Sequence, residues 1–315
     1  MPASPATSTS TAVEHEIVVS APATAVYRLL AKVANWPRIF PSVVHVDQVE
    51  PLSRGERIRV WETMDGKVKT WTTTRVFDPY GLRIEFQEEE PGLPGTVQGA
   101  WSIEPRSATE STVRVLRTCP TAGPAERAGA LARAHERSRT ELASLGPRLE
   151  SAHAATTLTF SFTDTVHIDG AAEDVYDFIH DADRWQERLP HVARVRLAED
   201  PSGLQTLEMD TRSADGSTHT TVSHRVTFPH HRIAYRQFTL PALMTLHTGV
   251  WTFRDDDGGT AASSQHTVVL NTDNIAGVLG PDADVARARD YVRTALSTNS
   301  TATLRLAKAY AESRR

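Results

Sequence analysis

Hydrophobic and polar residues alternate from Glu14 to Ser20 and again from Leu158 to Ile168, the period of a strand with one buried face. In the first half of the chain further strand-like runs fall at Val43 to Glu50, Glu56 to Met64, Lys67 to Asp78, Leu82 to Glu88, Thr96 to Glu104 and Ser111 to Cys119. Asp65-Gly66 and Asp215-Gly216 are tight hairpin signals, because both central turn positions favour residues that tolerate positive φ. The period then becomes helical over two long segments, roughly Ala125 to Glu150 and Asp284 to Glu312. Leu131, His135, Ser138, Leu142, Leu145 and Leu149 share one predicted face of the first. Val292, Leu296, Asn299, Leu306 and Tyr310 do much the same on the second.

This order of elements occurs twice because the sequence repeats itself. Ile17 to Val46 aligns without a gap with Val166 to Val195, pairing Val26 with Val175, Tyr27 with Tyr176, Trp36 with Trp185, Pro41 with Pro190 and Val46 with Val195. After one inserted residue, Arg75 pairs with Arg225 and Trp101 with Trp251. Each copy reads as a strand, two helical segments, six antiparallel strands and a long helix. That order predicts an α+β fold of two tandem helix-grip domains, each a curved seven-stranded antiparallel sheet wrapped around its C-terminal helix with an interior cavity. The expected boundaries are a disordered leader over 1–12, a first domain over 13–151 and a second over 152–315.

Composition narrows the partners. The 34 basic and 39 acidic residues give a net charge of −5 without a dense basic run, which argues against nucleic acid. The Pro/Ala/Ser/Thr-rich start from Met1 to Thr11 lacks the basic and apolar parts of a secretory signal, and no stretch approaches the roughly 18 apolar residues of a membrane span. A single cysteine, Cys119, excludes an internal disulfide and fits a cytoplasmic protein.

Lys69, Trp71, Thr73, Arg75 and Phe77 share one face of the fourth strand. Either this face is exposed, with Trp71 beside Arg75 in a cation–π contact, or it lines the cavity, where Trp71 and Phe77 supply flat walls and Arg75 a permanent charge for a carbonyl or enolate oxygen. Trp36 and Trp101 are core or further walls. In the second copy Thr221, Ser223 and Arg225 stand at the same places, so the hydroxyl and arginine persist without the first tryptophan. Trp185 and Trp251 persist too. His247 shares a strand face with Trp251 and is either an acid/base or a satisfied core histidine. Asn299 and His135, on the apolar faces of the long helices, contact either a ligand or a local network. His230 and His231, after Pro229, read as exposed turn residues. No metal-ligand spacing, phosphate-binding glycine loop or nucleophile motif is present, so no cofactor or metal is expected.

The run Trp71-Thr72-Thr73-Thr74-Arg75, with Trp36 before it and Trp101 after it, resembles the Trp-x-Ser-x-Arg pocket signature of bacterial polyketide aromatase/cyclases of the START-like superfamily. Two copies in one chain resemble the di-domain subclass that serves aromatic (type II) polyketide synthases. The resemblance implies regiospecific aldol cyclisation of a poly-β-ketone, from the seventh to the twelfth carbon, or dehydration of a closed ring to the first aromatic ring. It implies as partners an acyl carrier protein bearing the phosphopantetheine-linked chain and other synthase components. It makes Arg75, Thr73, Arg225 and Ser223 the catalytic candidates. A non-catalytic carrier of an apolar ligand is the other reading, as is a chain in which one copy alone is catalytic.

Overall fold

The computed structural model describes residues 9–64, 66–89, 96–121, 124–212, 216 and 218–314. These form two compact units, dividing between Ala154 and Ala155. In the first unit, β1 (Thr9–Val19) is followed by α1 (Ala23–Ala31) and α2 (Trp36–Ile39), joined by a 3-10 turn. Next come β2 (Val43–Leu52), β3 (Gly55–Met64), β4 (Lys67–Asp78), β5 (Arg83–Glu89), β6 (Val97–Pro105), β7 (Ser111–Thr121) and α3 (Pro124–Leu158). The second unit repeats the order in β8 (Thr159–Ile168), α4 (Ala172–His180), α5 (Trp185–Arg188), β9 (Val192–Glu199), β10 (Leu204–Arg212), β11 (Thr218–Phe228), β12 (Arg232–Thr239), β13 (Met244–Asp256) and β14 (Gly259–Leu270). It closes with a short α6 (Ile275–Leu279), which the hydrophobic pattern does not foretell, and α7 (Val285–Glu312).

Each unit has one seven-stranded sheet, ordered β1-β7-β6-β5-β4-β3-β2 in the first and β8-β14-β13-β12-β11-β10-β9 in the second. All pairings are antiparallel: from the second strand onward each strand of a unit pairs with the next in sequence, and the first strand pairs with the last. The period-two pattern buries one face: Ile58, Val60, Ile84, Val113 and Val115 meet Val26 and Leu30 of α1 and Leu142, Leu145 and Leu149 of α3. Ile168, Val175, Ile179, Ile233, Phe253, Leu304 and Ala307 build the counterpart. A further cluster of the second unit, with Phe160, Met244, Leu270, Ile275 and Val292, seats α6 against α7. Asp284 starts α7 by accepting a hydrogen bond from the Arg287 amide at 2.8 Å.

Two expectations shift and a third holds. Strand β1 begins at Thr9, where Thr9 to Ala12 pair with β7, so the expected 1–12 leader is shortened and its remainder, 1–8, lies outside the described residues. Helix α3 runs to Leu158, past the expected 151/152 boundary, and β8 begins at the next residue. Asp65 and Asp215 lie outside the described residues, while Gly66 and Gly216 take the positive φ of 72° and 83° that such turns require. Among the described residues no helix is long and apolar enough to cross a membrane.

Candidate active site

One row of residues crosses each sheet on its inner face. In the first unit Arg75 of β4 lies opposite Phe86, Phe86 opposite Gly99, and Gly99 opposite Arg117 of β7. The second unit has Arg225, Tyr235, Gly249 and His266 in the same registers. The glycines have a physical reason. A Cβ at Gly249 would lie 2.3 Å from the Tyr235 hydroxyl, and one at Gly99 would lie 2.4 Å from the end of the Phe86 ring, so each aromatic ring lies across its glycine.

Arg75 is inside, 1% exposed, between the rings of Trp36 and Phe77 with 5.0 Å from its guanidinium carbon to each centroid. It donates to Glu56 at 2.7 Å and to the Leu30 and Ala31 carbonyls at the end of α1 at 2.7 and 3.1 Å. Burial lowers its pKa to about 10 despite Glu56, leaving it charged at neutral pH. Around it the interior is ionic. Arg117 grips both carboxylate oxygens of Glu141 at 2.7 and 3.0 Å and donates to Ser138 at 2.7 Å. Arg137 donates to Glu88 at 2.9 and 3.2 Å and to Glu141 at 3.1 Å, and approaches Glu62 at 3.6 Å. Ser42 donates to Glu62, whose pKa burial pushes up. Arg75, Glu62, Glu88, Arg117, Arg137 and Glu141, with Trp36, Phe40, Thr73 and Trp101, enclose a cavity of only about 20 Å³, room for a water or two. A larger hollow of about 210 Å³ lies beside it, sharing Glu62, Arg137 and Glu141 with Thr63, Met64 and Arg133.

The second unit carries the same frame with the charges removed. Strand register sets Gln205 where the first unit has Glu56. Two residues beyond Tyr235, Gln237 stands for Glu88, and Thr211 stands for Glu62. With the buried Leu304 of α7 set against Leu142 of α3, Asn299 replaces Arg137 and Thr303 replaces Glu141. What remains is a cavity of about 120 Å³ lined by aromatic, aliphatic, hydroxyl, amide and imidazole groups. Arg225 is the single Asp, Glu, Lys or Arg among its described lining residues. It donates to the Ile179 carbonyl at 2.6 Å, as Arg75 does to Leu30, and sits 5.3 Å from the centre of the Trp185 ring. The carbonyl equivalent to Ala31, that of His180, is taken instead by Gln205 at 3.3 Å, so Arg225 Nη1 keeps no partner among the described residues. Burial lowers the Arg225 pKa to about 10, still charged at neutral pH.

Across the cavity His247 and His266 stack, with 3.0 Å between His247 Nε2 and His266 Nδ1. The outer nitrogens bond Gln237 at 2.8 Å and Ser264 at 3.0 Å. The Tyr235 hydroxyl touches both inner nitrogens, at 3.4 and 3.2 Å. Burial holds His247 well below the usual imidazole range and His266 down at about 4, so both are neutral at neutral pH, and it raises the Tyr235 pKa.

The predicted residues thus separate by unit. Trp185, Thr221, Ser223, Arg225, His247, Trp251 and Asn299 line one cavity. Trp36, Thr73, Arg75 and Trp101 meet around the small one, with Thr73 Oγ1 lacking a partner among the described residues. Trp71 faces inward, 3% exposed, but is roofed by Arg137 at 4.6 Å. The exposed-face alternative for Trp71 and Arg75 is therefore excluded. Phe77 is half-buried against Arg75 and does not line the cavity. His135 is a correction: it is exposed, hydrogen-bonded to His15 at 2.7 Å, because the inner face of α3 runs through Ala134, Ser138, Glu141 and Leu145. A hydrophobic periodicity cannot find a face that carries arginine and glutamate. Tyr235, Gln237, Ser264 and His266 were missed, since their convergence depends on cross-strand register. Among the described residues no group of three or more His, Cys, Asp or Glu could hold a metal ion.

Duplicated helix-grip sheets, one enclosing a cavity whose one formal charge is a guanidinium, define a two-domain helix-grip protein. A model of the family described as "Polyketide cyclase / dehydrase and lipid transport" matches residues 10–150 and again 159–312. The chain is 48% identical over 300 residues to the granaticin polyketide synthase bifunctional cyclase/dehydratase of Streptomyces virginiae, covering 93% of this chain and 98% of that protein. It is 38% identical over 312 residues to the actinorhodin polyketide synthase bifunctional cyclase/dehydratase of Streptomyces coelicolor, covering 95% and 96%. Its structure superposes on the di-domain ARO/CYC BexL from the BE-7585A biosynthetic pathway with a TM-score of 0.87 at 55% identity, covering 96% of this chain and 99% of that one. The chain belongs to the polyketide cyclase / dehydrase family, and within it to the two-domain cyclase/dehydratases.

Proposed function

We propose that the second domain binds a poly-β-ketone presented on an acyl carrier protein, closes its first ring by an aldol step between the seventh and twelfth carbons, and dehydrates the ring toward aromaticity. The first domain keeps the fold with its interior closed by ion pairs. The observation that carries this reading is the isolation of Arg225: among the described residues it is the lone formal charge lining an otherwise neutral cavity, and one of its nitrogens has no partner there. Methylenes between ketones are already acidic, so the protein's main tasks are to fold the chain and to stabilise an enolate or alkoxide oxygen. Trp185 and Trp251 offer flat walls for the first task, and Arg225 with Ser223 offers donors for the second. Arg75 is poorly placed to do the same, because Glu56 already neutralises it at 2.7 Å.

The test is product analysis in a reconstituted synthase with the full-length chain. Arg225→Ala is expected to lose correctly cyclised product by about a hundredfold or more, the scale of removing one preorganised oxyanion donor. Arg75→Ala is expected to keep the product ratio. The opposite pattern returns catalysis to the first domain, and an unchanged ratio in both variants turns the chain into a carrier.

A further inference from the structure

Dehydration needs a proton to leave carbon and another to reach the departing hydroxyl, and Arg225 can do neither because it stays protonated. We infer that Tyr235 is the proton-transfer residue of the second cavity, and that His247 and His266 behind it are a two-nitrogen proton store. This rests on the second cavity being the reaction site.

The geometry gives each group its part. All three side chains line the cavity, and Tyr235 is the most exposed of them, half-buried where His247 and His266 are 2% and 3% exposed, so the phenol is the member that reaches furthest toward a ligand. When His247 Nδ1–H donates to Gln237 Oε1 and His266 Nε2–H donates to Ser264 Oγ, the two inner nitrogens carry no proton. They face each other at 3.0 Å with the Tyr235 hydroxyl donating toward both. Two lone pairs at that distance repel, and one proton placed between them removes the repulsion.

The exchange balances. As the C–H bond beside the ketone breaks, its proton passes to Tyr235 Oη while the phenol's own proton moves onto the nitrogen pair, and the enolate oxygen rests on Arg225. As the C–O bond of the β-hydroxyl breaks, the leaving oxygen takes the proton from Tyr235 Oη, and the nitrogen pair returns its proton to the phenol. One water leaves, a C=C bond forms, and the three side chains end as they began. The first domain cannot run this exchange, since Phe86, Val97, Val115 and Arg117 occupy the places of Tyr235, His247, Ser264 and His266.

The experiment uses the purified full-length chain and a synthetic cyclic β-hydroxyketone carried as an N-acetylcysteamine thioester, following the absorbance of the conjugated enone. Tyr235→Phe keeps the ring that fills the space over Gly249 and is expected to lower kcat by about a hundredfold with KM unchanged. His266→Ala is expected to lose a similar factor and to recover part of it with added imidazole, which a purely structural role would not allow. If Tyr235→Phe keeps kcat, or His266→Ala is not rescued while Arg225→Ala is inactive, the relay is overturned and the cavity assignment stands. If Arg225→Ala keeps full turnover, the cavity assignment itself falls.

Discussion

The two halves place the same side-chain positions around the same inward row, yet in one that row is locked in guanidinium–carboxylate pairs around about 20 Å³, with a larger hollow to the side, and in the other it lines about 120 Å³ with a single formal charge. Glu56, Glu62, Glu88, Arg117, Arg137 and Glu141 correspond to Gln205, Thr211, Gln237, His266, Asn299 and Thr303. Every replacement removes a formal charge. Buried charges are costly unless paired, so the several charges of the first unit draw its helix and sheet together around them. Neutral polar groups hold weaker claims on one another and leave space. The arginine common to both rows therefore stands in opposite situations: Arg75 is neutralised by a carboxylate, and Arg225 is a charge without a counter-ion among its lining residues.

Removing one member of the ionic lattice should have the largest effect on stability. Glu141 accepts from both Arg117 and Arg137. Glu141→Ala takes from the buried Arg117 its carboxylate partner, while Arg137 keeps Glu88, and is expected to cost the first domain about 3–5 kcal/mol. Calorimetry should show its transition falling while that of the second domain holds, and the product ratio should not change. A lost product ratio in a folded Glu141→Ala protein would mean that the first interior takes part in the chemistry.

The converse change installs a counter-ion. Gln205→Glu recreates the Glu56 partner opposite Arg225, and pairing that guanidinium should lower ring formation by about a hundredfold, near 3 kcal/mol in the barrier. The rate of cyclised product per enzyme measures it. Retention of the wild-type rate would show that Arg225 needs no electrostatic isolation.

Acidification should weaken the second domain more than the first. His266 has a folded pKa of about 4 against 6.5 for the free side chain, so the unfolded chain binds more protons between those values. The stability this group contributes is complete above about pH 6.5 and declines toward pH 4, by about 3 kcal/mol. His247 acts in the same direction. Glu62 has a raised folded pKa, so its contribution to the first domain grows as the pH falls. Thermal scans from pH 7 to pH 4.5 should therefore show the second domain weakening more than the first, and His266→Gln should reduce the gap.

The duplication and the strands were legible because a buried sheet face imposes period two, and because Trp36/Trp185 and Arg75/Arg225 survive in both copies. β4 was expected over Lys67 to Asp78, and it spans those residues. The identity of the open cavity was not legible. The Trp-x-Thr-x-Arg run drew attention to the first domain, but whether an arginine faces a ligand or a carboxylate depends on Glu56, 19 residues away in sequence and adjacent only through the β3–β4 register. His266 was hidden for the same reason: Tyr235, His247 and His266 come from three strands, and no local spacing joins them. His135 was misplaced because α3 turns charged residues, not its most hydrophobic ones, toward part of the sheet.

The smallest expected effect tests the hydroxyls that both copies keep beside the arginine. Thr73 is 2% exposed and its Oγ1 has no protein partner among the described residues, so its burial is repaid by less than a bonded hydroxyl's. Thr73→Val has the same shape without that group. It should leave product formation unchanged and raise the stability of the first domain by about 1 kcal/mol. Ser223 lines the open cavity instead, where water can reach a vacated site, so Ser223→Ala should slow ring formation by less than about tenfold while leaving stability within about 0.5 kcal/mol. Denaturant titration and product analysis on the pair separate the cases. If Thr73→Val impairs cyclisation as much as Ser223→Ala, the hydroxyl in the ion-paired interior does meet substrate, and the division of labour between the two domains is wrong.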